Sequence, residues 1–330
     1  MSDNLIAKLR QDSQERLTAT RQDLSRRLVS VDSGVASPDV CIYVTGSLAR
    51  LEANASSDLD AFFFLTGCGE KNPLSRIRDV KILNAVVESA EANGFPDFSN
   101  DGEYLKFLHV EDVVQHIGGR ADDYHNALTA RMLLMLESQH LFNEKLFDDF
   151  RYQVVDRYFI DFHKHNDDFK PIFLLNDVLR FWRTMCLNYE HGRQWRVDDK
   201  EKQAKGHLAN LKLRFSRLNI CYSFIAKMLM YGKAITPSQI VEVCKITPLE
   251  RVRLLGDRSS KSKDWSSILL EEYEWFLESV GRPKEEVLGW IADQGNREEA
   301  FRHSARFINT MFSLVSDIAE EHGYMRYLVV

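Results

Sequence analysis

The stretch from 46 to 60, Gly-Ser-Leu-Ala-Arg-Leu-Glu-Ala-Asn-Ala-Ser-Ser-Asp-Leu-Asp, constrains the fold of this 330-residue chain more than any other. It is preceded by Cys41-Ile42-Tyr43-Val44 and followed by Ala61-Phe62-Phe63-Phe64-Leu65, two short apolar runs of the β-branched and aromatic kind that favours strands. The spacing predicts a strand, a Gly-Ser turn, a helical segment, and a second strand that opens with Asp58 and Asp60. Alternate strand residues face the same side, so the two carboxylates are predicted to project together, where the turn can approach them. Two carboxylates on one face beside an apolar strand are costly unless a cation sits between them. Hard oxygen ligands suit Mg²⁺, which keeps several waters and shares its shell with substrate phosphates. A glycine lets backbone come close to phosphate, and a turn ahead of a helix offers N–H groups. The pattern predicts metal-dependent phosphoryl chemistry.

Composition excludes several alternatives. The chain is 44% hydrophobic and 28% charged, ordinary for a folded globular protein, and its length suggests two domains or one large one. Five cysteines, at 41, 68, 186, 221 and 244, are scattered without a Cys-x-x-Cys pair. That points to a reducing, cytoplasmic compartment and away from a zinc site or a disulfide framework. No run of about 20 apolar residues is present, so no membrane span is expected. A net charge of −6 argues against a general nucleic-acid coat. No P-loop pattern occurs.

Along the chain, Leu5, Ile6, Leu9, Leu17, Leu24 and Leu28 recur at helical spacing among charges, which predicts an N-terminal helix lying against the sheet. Residues 75 to 93 read as a helix stopped by Asn93-Gly94. Tyr104 to Val110 reads as a third strand, and Glu111-Asp112 opens a short helix. From about 121 onward nearly everything reads as helix. The fold class is therefore α+β: a small mixed-sheet domain over 1–160, including the N-terminal helix, followed by an α-helical domain over 161–330.

The 46–60 stretch resembles the signature of the polymerase-β-like nucleotidyltransferase superfamily, a Gly-Ser turn followed about ten residues on by Asp-x-Asp at a strand start. With Arg50, Glu52 and Ser57 included, it is similar to bacterial uridylyltransferases of nitrogen signalling. The resemblance covers about 20 residues directly and extends more loosely to about residue 150. It implies that Gly46 and Ser47, with Arg50 and Ser57, hold the nucleotide, and that Asp58 and Asp60 bind Mg²⁺, or Mn²⁺ in its place. It further implies that the α-helical domain closes the nucleotide cleft, and that a third carboxylate activates the attacking hydroxyl. Glu103 and the pair Glu111 and Asp112 are the candidates for that role, and the lack of any such ligand is the third alternative. The same resemblance places a Lys and a Ser or Thr from a later helix on the triphosphate. Lys212 and Ser216, four residues apart, match that description, with Arg180 and Arg183 as further phosphate or acceptor contacts, since Lys and Arg both suit phosphate. Phe181, Trp182 and Phe215 read as core.

The implied reaction moves a nucleoside monophosphate from an NTP, ATP by default, to an acceptor hydroxyl, with pyrophosphate release. A protein, an RNA end, a nucleotide or a small molecule all fit as acceptor. The alternative is a nucleotide-binding regulatory or scaffold protein of the same fold without catalysis.

Overall fold

The computed structural model describes residues 3–31, 39–66, 73–98, 105, 107–118, 120, 122, 126–165, 167–194, 199–232 and 234–329. The chain divides into two compact units, Ile6–Arg157 and Tyr158–Val330, the latter taking in Met1–Leu5 as well.

In the first unit, β1 (Val40–Val44), β2 (Ala61–Leu65), β3 (Phe107–His109) and β4 (Gln139–Phe142) form a sheet in the order β3-β2-β1-β4. β1 pairs antiparallel with β2, Val44 opposite Ala61 and Val40 opposite Leu65. β4 is antiparallel to β1 on its other side, with an irregularity between Ile42 and Tyr43. β3 runs parallel to β2, which requires a crossover. The helices of this unit are α1 (Asp3–Val31), α2 (Gly46–Ala49), α3 (Pro73–Ala92) within that crossover, α4 (Val110–Gln115), α5 (Ala127–Leu136) and α6 (Glu144–Asp156).

Both faces of the sheet are covered, which is why β1 and β2 are apolar throughout rather than alternating. On one face, Ile42, Val44, Phe63 and Leu65 pack with Leu17, Leu24 and Leu28 of α1 and Ile82, Ala85 and Val86 of α3. On the other, the Tyr43 ring stacks on Phe62 and Phe64, at 5.5 and 5.4 Å between centroids, and from α6 Phe147 packs on Tyr43 and Phe150 on Phe64. Burial pushes the Tyr43 phenol well above its usual pKa range.

The second unit is helical among the described residues. It comprises α7 (Ile172–Gln194), α8 (Lys200–Lys212), α9 (Leu218–Leu229), α10 (Pro237–Lys245), α11 (Pro248–Gly256), α12 (Ser260–Val280), α13 (Lys284–Ala292), α14 (Gln294–Glu321) and α15 (Met325–Val329), besides short 3₁₀ turns. A π turn, Leu213–Arg217, joins α8 to α9. Its Phe215 is fully buried, stacks on Phe276 of α12 and packs tilted against Phe307 of α14, and Phe181 is likewise core. Trp182 is half-buried and edge-on to Tyr222.

The architecture is α+β, a small mixed sheet followed by a helical region. Three local expectations are corrected. β4 lies inside the stretch that the sequence predicts to be helical, because its pairing partner is β1, about a hundred residues upstream. The third strand spans only Phe107–His109 among the described residues, and Val110 already belongs to α4. β2 begins at Ala61 rather than at Asp58.

Candidate functional site

The 46–60 loop leaves β1 at Val44 and returns into β2 at Ala61, so its two ends are neighbours across the β1–β2 pair. The Thr45 N–H donates to the Asp60 carbonyl at 3.0 Å and prolongs that pairing by one bond. The Ala61 N–H turns back to the Leu59 carbonyl at 3.1 Å, a tight turn at Asp60 that breaks the regular ladder. The two aspartates therefore stand just ahead of the strand. Leu59 between them is buried, while Asp58 and Asp60 are both half-exposed.

Gly46 opens α2 with φ +71°. A β-carbon built there would lie 2.3 Å from Asp60 Oδ2. The Asp60 carboxylate thus rests against the backbone of the Gly-Ser turn, in space that only glycine leaves free. α2 itself is one turn, Gly46–Ala49, ended by Leu51 at φ +62°. What the turn offers a phosphate is close backbone, since so short a helix has little dipole.

α1 anchors the rest of the loop. Ser13 Oγ accepts from the Ala53 N–H at 3.0 Å, and the Arg16 guanidinium donates to the Asn54 carbonyl at 3.0 Å. The N-terminal helix is therefore part of the apparatus that shapes the site.

Two residues that the resemblance assigns to the nucleotide have other work in the structure. Arg50 is buried, its Nε 2.9 Å from Glu52 Oε2 and its Nη1 bonded to Glu137. Its charge is already matched by carboxylates, which removes it from phosphate binding. Ser57 Oγ accepts from the Asn54 N–H at 3.0 Å and donates to Asn54 Oδ1 at 3.3 Å, so the hydroxyl shapes the loop.

The sheet register separates the candidates for a third carboxylate. Phe107 lies opposite Phe63 and His109 opposite Leu65, so Glu111 and Asp112 follow the end of β3 remote from Asp60. Ala61 and Leu65 are four strand steps apart, roughly 13 Å, whereas cation–oxygen distances are about 2.0–2.6 Å. Glu111 and Asp112 are thereby corrected out of the site. Both occupy the first turn of α4, where the helix dipole favours acids. Glu103 lies outside the described residues. Among the described residues, no group of three or more His, Cys, Asp or Glu side chains could hold a metal ion. The acidic pair alone supplies hard oxygen donors with neither thiol nor imidazole, a set that fits Mg²⁺ or Mn²⁺ completed by water and phosphate.

The remaining candidates belong to the second unit. Lys212 is exposed at the end of α8, but Ser216 is buried in the π turn and donates to the Lys212 carbonyl at 3.0 Å. The two therefore present no joint surface, because Ser216 is turned into the core and its hydroxyl is spent on the backbone. On α7, Arg183 is exposed, while Arg180 is half-exposed and 3.6 Å from Asp177. Asp177 in turn accepts from the Tyr158 hydroxyl at 2.7 Å. Sequence reasoning missed Glu137, since nothing local marks a residue 87 positions from Arg50 as its partner.

Comparison with models of known protein families and with curated protein sequences yields no match. Among the described residues, no helix is long and apolar enough to cross a membrane.

Proposed function

We propose that this chain is a Mg²⁺-dependent nucleotidyltransferase whose nucleotide site is the loop from Gly46 to Asp60. The observation that carries this reading is the seating of the Asp60 carboxylate against Gly46. It joins a phosphate-tolerant turn and an acidic pair, the two elements that nucleotidyl transfer has to combine. When bound, the cation would neutralise phosphate charge and help to align the displacement. Gly46 and Ser47 supply backbone close enough to meet the phosphates, and Asp58 and Asp60 supply the oxygen donors.

In the reaction the acceptor hydroxyl oxygen bonds to the α-phosphorus. The bond from that phosphorus to the α–β bridging oxygen breaks, and pyrophosphate leaves with the electron pair. The hydroxyl proton passes to a base, for which Glu103 is the candidate. The reaction needs chiefly positioning and charge neutralisation, which a rigid loop between two strands is suited to provide. Should Glu103 not serve, the same loop would bind nucleotide without transferring it.

The test uses α-labelled ATP with Mg²⁺ and a panel of protein, RNA, nucleotide and small-molecule acceptors. The wild-type chain is expected to transfer label and release pyrophosphate, and Asp58→Ala with Asp60→Ala is expected to abolish both. Transfer that persists in the double variant would falsify the assignment.

A further inference from the structure

Beneath the Gly-Ser turn lies an ionic group that the proposed chemistry does not use. Arg50 bridges Glu52 and Glu137, and the three side chains are only 8%, 2% and 0% exposed. Their positions in the chain are informative. The Arg50 N–H donates to the Gly46 carbonyl at 3.0 Å and the Glu52 N–H to the Ser47 carbonyl at 2.9 Å, so both residues close the turn through their backbones. Between them Leu51 is held at φ +62°, a left-handed conformation that is unfavourable for a side-chain-bearing residue and persists only where its surroundings over-determine it. Glu137 caps the end of α5, its N–H bonded to the Leu133 carbonyl, two residues before Gln139 pairs with Val44 of β1. The triad therefore ties the closing segment of the turn to the strand beside the one from which the turn springs.

Stability alone does not account for such a group. Replacing a buried ion triad by apolar side chains of similar volume is often neutral or stabilising, because desolvation offsets the attraction. What a fixed guanidinium fork does supply is geometry. We propose that Arg50, Glu52 and Glu137 are positioning residues that hold the Gly46–Ser47 turn in register with Asp60, so that the nucleotide site exists before ligand arrives. The inference rests on the proposed function for its purpose, but its physical content, a turn fixed by the triad, can be read separately.

The experiment compares the full-length wild type with the triple variant Arg50→Met, Glu52→Met, Glu137→Met. Three quantities are measured: the thermal midpoint, amide hydrogen exchange, and affinity for α,β-methylene-ATP with Mg²⁺. The triple variant is expected to keep or raise its midpoint, while the amides of residues 46–53 exchange at least about ten-fold faster relative to β1 and β2. Its affinity for the analogue is expected to fall by a similar factor. Arg50→Lys, which keeps the charge and loses the fork, is expected to fall between the two in exchange rate with its midpoint intact. Exchange over 46–53 that stays at the wild-type rate in the triple variant overturns the proposal. So does a triple variant that cannot fold, which would make the triad a general structural support. A wild-type chain that does not bind the analogue refutes the nucleotide reading instead, and the exchange rates still decide the role of the triad.

Discussion

Gly46→Ala is expected to lower Mg²⁺-dependent transfer by about 10²-fold or more and to destabilise the first unit by about 1–3 kcal/mol. Two effects act at this position. At φ +71° an alanine takes on the left-handed strain of about 1–2 kcal/mol. Its β-carbon would also stand 2.3 Å from Asp60 Oδ2, so the carboxylate must swing away. A displacement of about 1 Å in a catalytic group can cost about 10²-fold in rate. The two effects separate in a double variant. With Asp60→Ala the nearest remaining Asp60 atom is the β-carbon, at 3.8 Å, so the collision disappears and only the backbone strain persists. Stability losses for Gly46→Ala and Asp60→Ala should therefore be less than additive, as read by denaturant unfolding of the two single variants and the double variant. Full additivity would mean that the turn and the carboxylate are not in contact.

The second large effect concerns the helical unit. Phe215→Ala is expected to cost about 3–5 kcal/mol, the range for truncating a buried aromatic. The ring is fully buried, stacked on Phe276 at 4.8 Å and 11°, tilted against Phe307 at 4.9 Å and 39°, with Tyr273 edge-on at 6.4 Å. It links the π turn to α12 and α14, and a cavity left among rings on helices that already pack together has little means to collapse. Denaturant unfolding monitored by far-UV circular dichroism measures the loss, and a cost below about 1 kcal/mol would contradict the packing described. Enclosed in this way, Phe215 cannot stack on a nucleotide base. Below its unfolding temperature the variant is expected to bind α,β-methylene-ATP as the wild type does.

What was legible in the sequence is what local pattern dictates. The leucines of α1 and the apolar rows of α3 repeat at helical spacing, and both helices lie on the sheet. The runs at 41–44 and 61–65 read as strands because burial on both faces leaves them apolar throughout. Phe64 of β2 meets Phe150 of α6. Features set by distant partners were not legible. β4 is four residues long, half of them polar, and exists because β1 offers it an edge. Arg50 looks like a phosphate ligand until Glu137, far along the chain, is seen to hold it. The spacing of Lys212 and Ser216 suggested a shared exposed face, but spacing does not tell which side of a helix the core takes, and Ser216 is buried. In the loop itself the pattern conveyed that Asp58 and Asp60 lead into an apolar strand. It could not convey that a tight turn at Asp60, rather than a strand, carries them there.

The most direct test of the loop as a metal–nucleotide site is a calorimetric titration of the full-length chain with α,β-methylene-ATP, in Mg²⁺ and again in excess chelator. The same titrations are run on the paired variant Asp58→Asn, Asp60→Asn, whose side chains are nearly isosteric with the originals. Saturable binding that requires Mg²⁺ and is lost in the variant is the predicted result. Binding of equal strength in chelator, or in the variant, would contradict it.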